Sequence, residues 1–116
     1  LAELSGFPDN YFDLVTSYIM HHELPGEITK KVIDEARRVT RPGGVYYPID
    51  FNSGGTKMPA RMMYSRWYDH RWNNEVWSFE YHALNFTNEI GARGFNVVKN
   101  AKPALPGFGV RHSIKV

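Results

Sequence analysis

Phe7-Pro8-Asp9-Asn10-Tyr11-Phe12-Asp13-Leu14-Val15-Thr16-Ser17 opens the stretch that decides the fold. It continues through Met20-His21-His22-Glu23-Leu24-Pro25, a helix-patterned run, Arg38-Val39-Thr40-Arg41-Pro42-Gly43-Gly44, and Val45-Tyr46-Tyr47-Pro48-Ile49-Asp50. Phe7 to Asn10 is turn chemistry, because proline presets φ and Asp and Asn tolerate turn conformations. Phe12 to Tyr18 is a β-branched and aromatic run that predicts a buried strand. From Ile28 the apolar positions fall at Ile28, Val32, Ala36 and Val39, with charged residues between them. That stripe is the signature of an amphipathic helix, over about Gly26 to Thr40. Arg37, Arg38 and Arg41 complement the negative end of this helix, Pro42-Gly43-Gly44 stops it, and Val45 to Asp50 is a second strand. Strand, helix and strand at this spacing form a βαβ unit with parallel pairing. Pro48 counts against a central strand, having no N–H to give to a ladder.

Downstream, Asn52 to Thr56 reads as a loop, and Ala60 to about Asn73 as one helix, broken by Asn73-Asn74-Glu75. Val76 to Leu84 is aromatic but without a clear period. Phe86 to Phe95 predicts a short helix with Thr87 as a cap and Gly94 as its stop, leading into a strand from Phe95 to Lys99. Pro103 to Gly109 reads as a loop, and Val110 to Val116 alternates as a final strand.

The chain has 116 residues, 42% hydrophobic and 22% charged, with a net charge of +2 and no cysteine. One globular core is expected from this balance. The charges are mixed rather than clustered, so no nucleic-acid footprint is visible. Disulfides, thiolate metal sites and a cysteine nucleophile are excluded. No run approaches the roughly 18 apolar residues of a membrane span and no signal segment opens the sequence. The expectation is a cytoplasmic protein that engages neither nucleic acid nor membrane. Asn85-Phe86-Thr87 fits the N-glycosylation pattern, but the pattern is too common to carry weight.

The Phe7 to Asp50 stretch resembles the second half of the core of a class I S-adenosylmethionine-dependent methyltransferase of the small-molecule branch. The resemblance rests on Ala2-Glu3, on Phe7 to Asp13 turning into a strand, on His21 to Pro25, on Arg38 to Gly44 closing a helix, and on Val45 to Asp50. Gly91 to Phe95 is similar to the segment that leads into that family's sixth strand. It implies an α/β fold, the C-terminal half of a Rossmann-like doubly wound sheet, with strands equivalent to the fourth to seventh and the last one antiparallel. Residues 1–116 are accordingly expected to be a partial domain, since the Gly-rich loop that wraps the cofactor's methionine part would precede Leu1. Gly107-Phe108-Gly109 does not replace that loop, because it precedes a strand and not a helix.

The resemblance also implies site residues. Ala2, Glu3, Ser17, Tyr18 and Ile19 correspond to positions that contact S-adenosylmethionine, and ligands of open α/β sheets sit at the carboxyl ends of the strands. Methyl transfer from a sulfonium needs alignment, exclusion of water and, for some acceptors, a proton acceptor. His21 and His22 are the candidates for that catalytic role, by the pKa of their side chain. The alternative is that one packs at the strand end and the other is exposed. Adjacent histidines diverge and lack H-x₃-H spacing, so no metal is expected. Asp50, Tyr64 and Trp67 are candidates for binding a small-molecule acceptor, with a cap or turn role as the equal alternative for Asp50 and core packing for the aromatics. Arg66, Asp69, His70 and Arg71 are expected to form a solvated face. Without the Gly-rich loop the chain alone is expected to hold little cofactor and to be inactive. The competing readings are a non-catalytic module that self-associates, as a homodimer through its first strand's bare edge or the aromatic surface, and a ligand-binding protein without chemistry.

Overall fold

A computed structural model of the protein describes residues 2–51, 60–99 and 108–116, leaving the side chains of Phe108 and Val110 aside. The loop expected at Asn52–Thr56 and residues 103–107 of the later one lie outside them. Strand β1 (Phe12–Tyr18) is followed by a 3-10 turn (His21–Glu23), helix α1 (Gly26–Val39) and strand β2 (Thr40–Phe51). Helices α2 (Ala60–Trp72), α3 (Ser78–Ala83) and α4 (Phe86–Ala92) come next, then strands β3 (Phe95–Val97), β4 (Phe108–Val110) and β5 (Ser113–Lys115). The sheet order is β1-β2-β5-β3, with β4 also on β2. β1 and β2 are parallel, and β5 runs antiparallel to both of its neighbours. The fold is therefore α/β with a mixed, open sheet, as expected.

The two ends of the diagnostic stretch bind each other, which explains why they occur together. Asn10 and Tyr11 donate their N–H groups to the carbonyls of Arg38 and Val39, at 2.9 and 2.8 Å. Arg38 also reaches Asp9 and donates to the carbonyl of Phe7, while Arg41 pairs with Asp13 at 2.6 Å. Glu35 accepts from the N–H and hydroxyl of Ser5, at 2.8 and 2.6 Å, and so anchors the segment that carries Ala2 and Glu3. The Arg38 guanidinium holds the Glu35 carboxyl down at about 2, against its burial and with help from Ser5.

Several boundaries move. β2 begins at Thr40, not Val45: it pairs Thr40 with Phe12, bulges through Arg41–Gly44, and resumes with Val45 opposite Leu14. Gly43 adopts φ +75°, and a Cβ on Gly44 would lie 2.8 Å from Thr40 Cγ2 and 2.9 Å from the Arg41 carbonyl. Both glycines make the bulge, where a plain helix stop was expected. Pro48 does sit in a strand with neighbours on both sides, and it falls between the two antiparallel ladders, opposite the Arg111–His112 gap between β4 and β5. Its missing N–H is thus placed where the ladder is interrupted.

The core gathers Ile33 and Ala36 of α1, Tyr46 of β2, Tyr81 of α3, Phe86 and Ile90 of α4, and Phe95 of β3. Ile33, outside the expected stripe, is fully buried, whereas Ile28 is only half-buried. These helices cover the sheet face that presents Tyr46. The opposite face is open: Leu14 and Tyr18 are 58% and 63% exposed, so β1 is not the buried strand expected. The reason is local, since β1 is an edge strand of the described sheet and its Leu14, Thr16 and Tyr18 have no described layer against them. At the other end, the buried residues are Arg111, Ser113 and Lys115, while His112 and Ile114 face the other way. Asn85, not Thr87, caps α4 by accepting from the N–H of Asn88 at 3.1 Å.

Candidate functional site

At the carboxyl ends of β1 and β2 a single carboxylate organises the loop between them. Asp50 is fully buried, and its Oδ2 accepts from the backbone N–H groups of Met20, His21 and His22, at 3.2, 2.7 and 3.3 Å. Three successive N–H groups converging on one carboxylate form an anion nest built from the chain itself. Its Oδ1 accepts from His22 Nδ1 at 2.8 Å and from the N–H of Phe51 at 2.7 Å. Just before the nest, Ile19 is held at φ +48°, a conformation that a β-branched side chain strongly resists. Its N–H donates to the Ile49 carbonyl at 2.8 Å, so the turn is fixed from both strands.

The two histidines diverge, as expected, and have different environments. His21 is fully buried, with Nε2 at 2.9 Å from the Tyr46 hydroxyl and 3.1 Å from the Ser17 hydroxyl, and its ring against Phe86. Its Nδ1 has no hydrogen-bond partner among the described residues. Burial pushes its pKa down to about 4, against the pull of Asp50, so the ring is neutral near pH 7. His22 is also buried, not exposed as the alternative reading had it, and packs its ring on Phe51. Burial opposes its charge, but the hydrogen bond to Asp50 and the charges of Asp50, Glu75 and Glu23 raise its pKa above 6.5. Asp50, despite its burial, is held below the usual carboxylate range by His22 and the surrounding N–H groups. An ionised Asp50 can only accept, so the Nδ1 of His22 carries the proton and Nε2 is the reactive nitrogen.

Ser17, His21, His22 and Asp50 are thus brought together. Ala2 and Ser17 line one cavity of about 250 Å³ between β1 and α1, with Met20, Val32 and Tyr46 among its walls. That is below the roughly 300–1,000 Å³ of ligand pockets. Glu3 is half-buried beside it in sequence, Tyr18 points outward, and Ile19 supplies the strained turn. Tyr64 and Trp67 stand on α2, 66% and 47% exposed, with their rings tilted by 33° at a centroid distance of 5.8 Å and no bond joining them to Asp50 among the described residues. The expected solvated face is only partly so: Arg66 lies over the Phe51 ring at 4.1 Å, and His70 Nδ1 is 3.2 Å from the Glu75 carbonyl.

The sequence reading missed Glu75, Glu80 and Tyr81. Glu80 accepts from the N–H of Gly26 at 3.0 Å and so caps α1, and Tyr81 donates to the Phe51 carbonyl at 2.8 Å. Glu75 Oε2 comes within 3.6 Å of His22 Nε2. A lone acidic residue after a helix gives no signal of such a partner.

The α/β architecture with a mixed, open sheet matches that of solved methyltransferase structures. Residues 1–47 match the model of the methyltransferase domain family. Among solved structures, a SAM-dependent methyltransferase from Methanosarcina mazei aligns over all of this chain and 65% of its own, at 15% identity and a TM-score of 0.67. An O-methyltransferase family protein from Burkholderia thailandensis aligns over 91% of this chain and 31% of its own, at 14% identity and a TM-score of 0.66. Phosphoethanolamine N-methyltransferase 2 from Haemonchus contortus, solved with S-adenosyl-L-methionine, aligns over 84% of this chain and 21% of its own, at 19% identity and a TM-score of 0.56. The chain therefore spans less than two thirds of the length of each. No curated protein sequence matches it. No helix among the described residues is long and apolar enough to cross a membrane.

Proposed function

We propose that the chain is the C-terminal part of a class I methyltransferase domain that moves a methyl group from S-adenosylmethionine to a small-molecule acceptor. The observation that carries this is the order β1-β2-β5-β3 with β5 reversed, in a chain whose first 47 residues match the methyltransferase domain model. On this reading β1, β2, β3 and β5 are the family's fourth, fifth, sixth and seventh strands. Ala2, Glu3, Ser17, Tyr18 and Ile19 form one wall of the cofactor site. Asp50 sets the wall's shape, and Tyr64 and Trp67 of α2 face the acceptor.

His22 is the group suited to take a proton from that acceptor, since Asp50 orients it and stabilises its imidazolium. His21, neutral and tied to Tyr46 and Ser17, holds the loop. The 116 residues contain no G-x-G turn leading from a strand into a helix, so on their own they bind the cofactor weakly and transfer nothing. Fusing residues 1–116 behind the Gly-rich half of the Methanosarcina mazei relative tests this. A folded chimera should bind S-adenosylmethionine with a dissociation constant of about 1–100 μM, and a folded chimera without binding would refute the strand equivalence.

A second reading is favoured by the open β1 edge and the exposed Leu14 and Tyr18: a module that self-associates through that surface. Sedimentation velocity should then show a dimer at tens of micromolar, about 50 μM being sufficient. A monomer at that concentration excludes it.

A further inference from the structure

We infer that His22, Glu75 and Glu23 form a binding site for a first-row divalent metal ion. Their ligand atoms lie within 4.8 Å of one another: Nε2 of His22 is 3.6 Å from Glu75 Oε2 and 4.0 Å from Glu23 Oε1. Both separations are too long for hydrogen bonds, and tetrahedral ligands around one small ion stand about 3.3–3.6 Å apart at metal–ligand distances of about 2.0–2.2 Å. Closing the site therefore asks for a shift of a few tenths of an ångström from Glu75 and somewhat more from Glu23, whose side chain is 64% exposed and free to swing.

Two observations separate this group from an ordinary acidic cluster. The side chain of His22 is only 3% exposed, and its Nε2, without a hydrogen bond among the described residues, has a carboxylate oxygen of both Glu75 and Glu23 within 4.0 Å. Glu75 has a side chain 26% exposed, but its Oε2 is shielded from solvent and has no hydrogen-bond partner among the described residues. A buried carboxylate oxygen without a donor is costly, and a cation removes that cost. The other nitrogen of His22 donates to Asp50 at 2.8 Å, the outer-sphere carboxylate that metal-ligating histidines typically have. The backbone of Glu75 is fixed independently, its N–H bonded to the Asp69 carbonyl and its own carbonyl accepting from Ser78. An entry path exists: a cavity of about 410 Å³ is lined by Glu23, Asn73, Asn74, Glu75, Val76 and Trp77.

One imidazole with two carboxylates and a solvent-facing side suits Zn²⁺ or Mn²⁺ better than Ca²⁺, which takes oxygen ligands alone. The divergence of the two histidines does not bear on this site, because the second and third ligands are carboxylates, one of them from beyond α2. A metal ion and a proton would compete for the same Nε2, so occupancy suspends the proton-accepting role assigned to His22 above. The site itself is independent of that role and is read without turnover.

Titration of ZnCl₂ into the 116-residue chain by calorimetry, with MnCl₂ followed by NMR line broadening, tests the inference. One equivalent of Zn²⁺ should bind, and Mn²⁺ should first broaden the amide signals of His22, Glu23 and Glu75. Glu75→Gln, whose side chain makes no hydrogen bond to lose, should weaken Zn²⁺ binding at least tenfold while the circular dichroism spectrum stays unchanged. No saturable binding up to about 1 mM free ion would overturn the inference. So would wild-type affinity in Glu75→Gln, or Mn²⁺ broadening confined to signals elsewhere in the chain.

Discussion

Asp50 carries more of the local structure than any other single side chain near the strand ends. Its carboxylate takes three consecutive loop N–H groups and the His22 ring, and through them keeps Ile19 in its left-handed conformation. Both members of the Asp50–His22 pair have pKa values shifted toward the charged form. The sign of the linkage follows from this. Stabilisation through the raised His22 is complete below pH 6.5 and is lost as pH rises through its folded value; that through the lowered Asp50 is complete above pH 3.8 and is lost as pH falls through its own. Asp50→Asn removes the charge and keeps the size. It should cost about 3 kcal/mol of stability in denaturant titration. It should also lower the His22 pKa, followed by the ring-proton NMR shift, because burial is then opposed only by the charges of Glu75 and Glu23. An unchanged His22 titration in a folded Asp50→Asn would show that the pair does not set the loop's electrostatics. Sequence indicated Asp50 as a strand-end residue with either a site role or a cap or turn role; which N–H groups it accepts from needed the spatial meeting of the two strand ends.

Among the elements, α1 was legible because its period is complete over 14 residues, and β1 and β2 because turn chemistry brackets both. The short α3 was not, since Ser78–Ala83 is held by Glu80 capping α1 and by Tyr81 in the core, contacts with no local period. The last strand shows the same limit in another form. Its apolar alternation is real, but the side chains turned toward the helices are Arg111, Ser113 and Lys115. Lys115 Nζ donates to the carbonyls of Arg37 and Thr40 and to Asn10 Oδ1, each at 2.7 Å, and so closes the end of α1 onto the Phe7–Asn10 turn. A cation at a helix carboxyl end is favourable, and no reading of strand alternation foretells a lysine threaded across the sheet end to that position. Lys115→Met keeps the stem and removes the donors, leaving those oxygens short of a partner. Destabilisation of about 2 kcal/mol is expected by urea denaturation. A loss under about 0.5 kcal/mol would mean that water serves them equally well.

At the scale of the whole molecule, one face of the sheet is packed by helices and the other presents Leu14, Thr16 and Tyr18 beside an unpaired strand edge among the described residues. The fold class and the parallel pairing of β1 with β2 were legible because the Phe7–Asp50 stretch carries turn, strand, helix and strand at fixed spacing. The proposed acceptor site was less so: Tyr64 and Trp67 are aromatic residues on a helix without an apolar face, and their orientation depends on what α2 packs against. Titration of S-adenosylmethionine into ¹⁵N-labelled chain, with amide shifts mapped by residue, tests the central claim that β1's carboxyl end is one wall of a cofactor site. The account predicts shifts concentrated at Ala2, Glu3 and Ser17 to Ile19, growing without saturation to about 1 mM. Absence of any shift at those residues, or saturation in the low micromolar range by this chain alone, would contradict it.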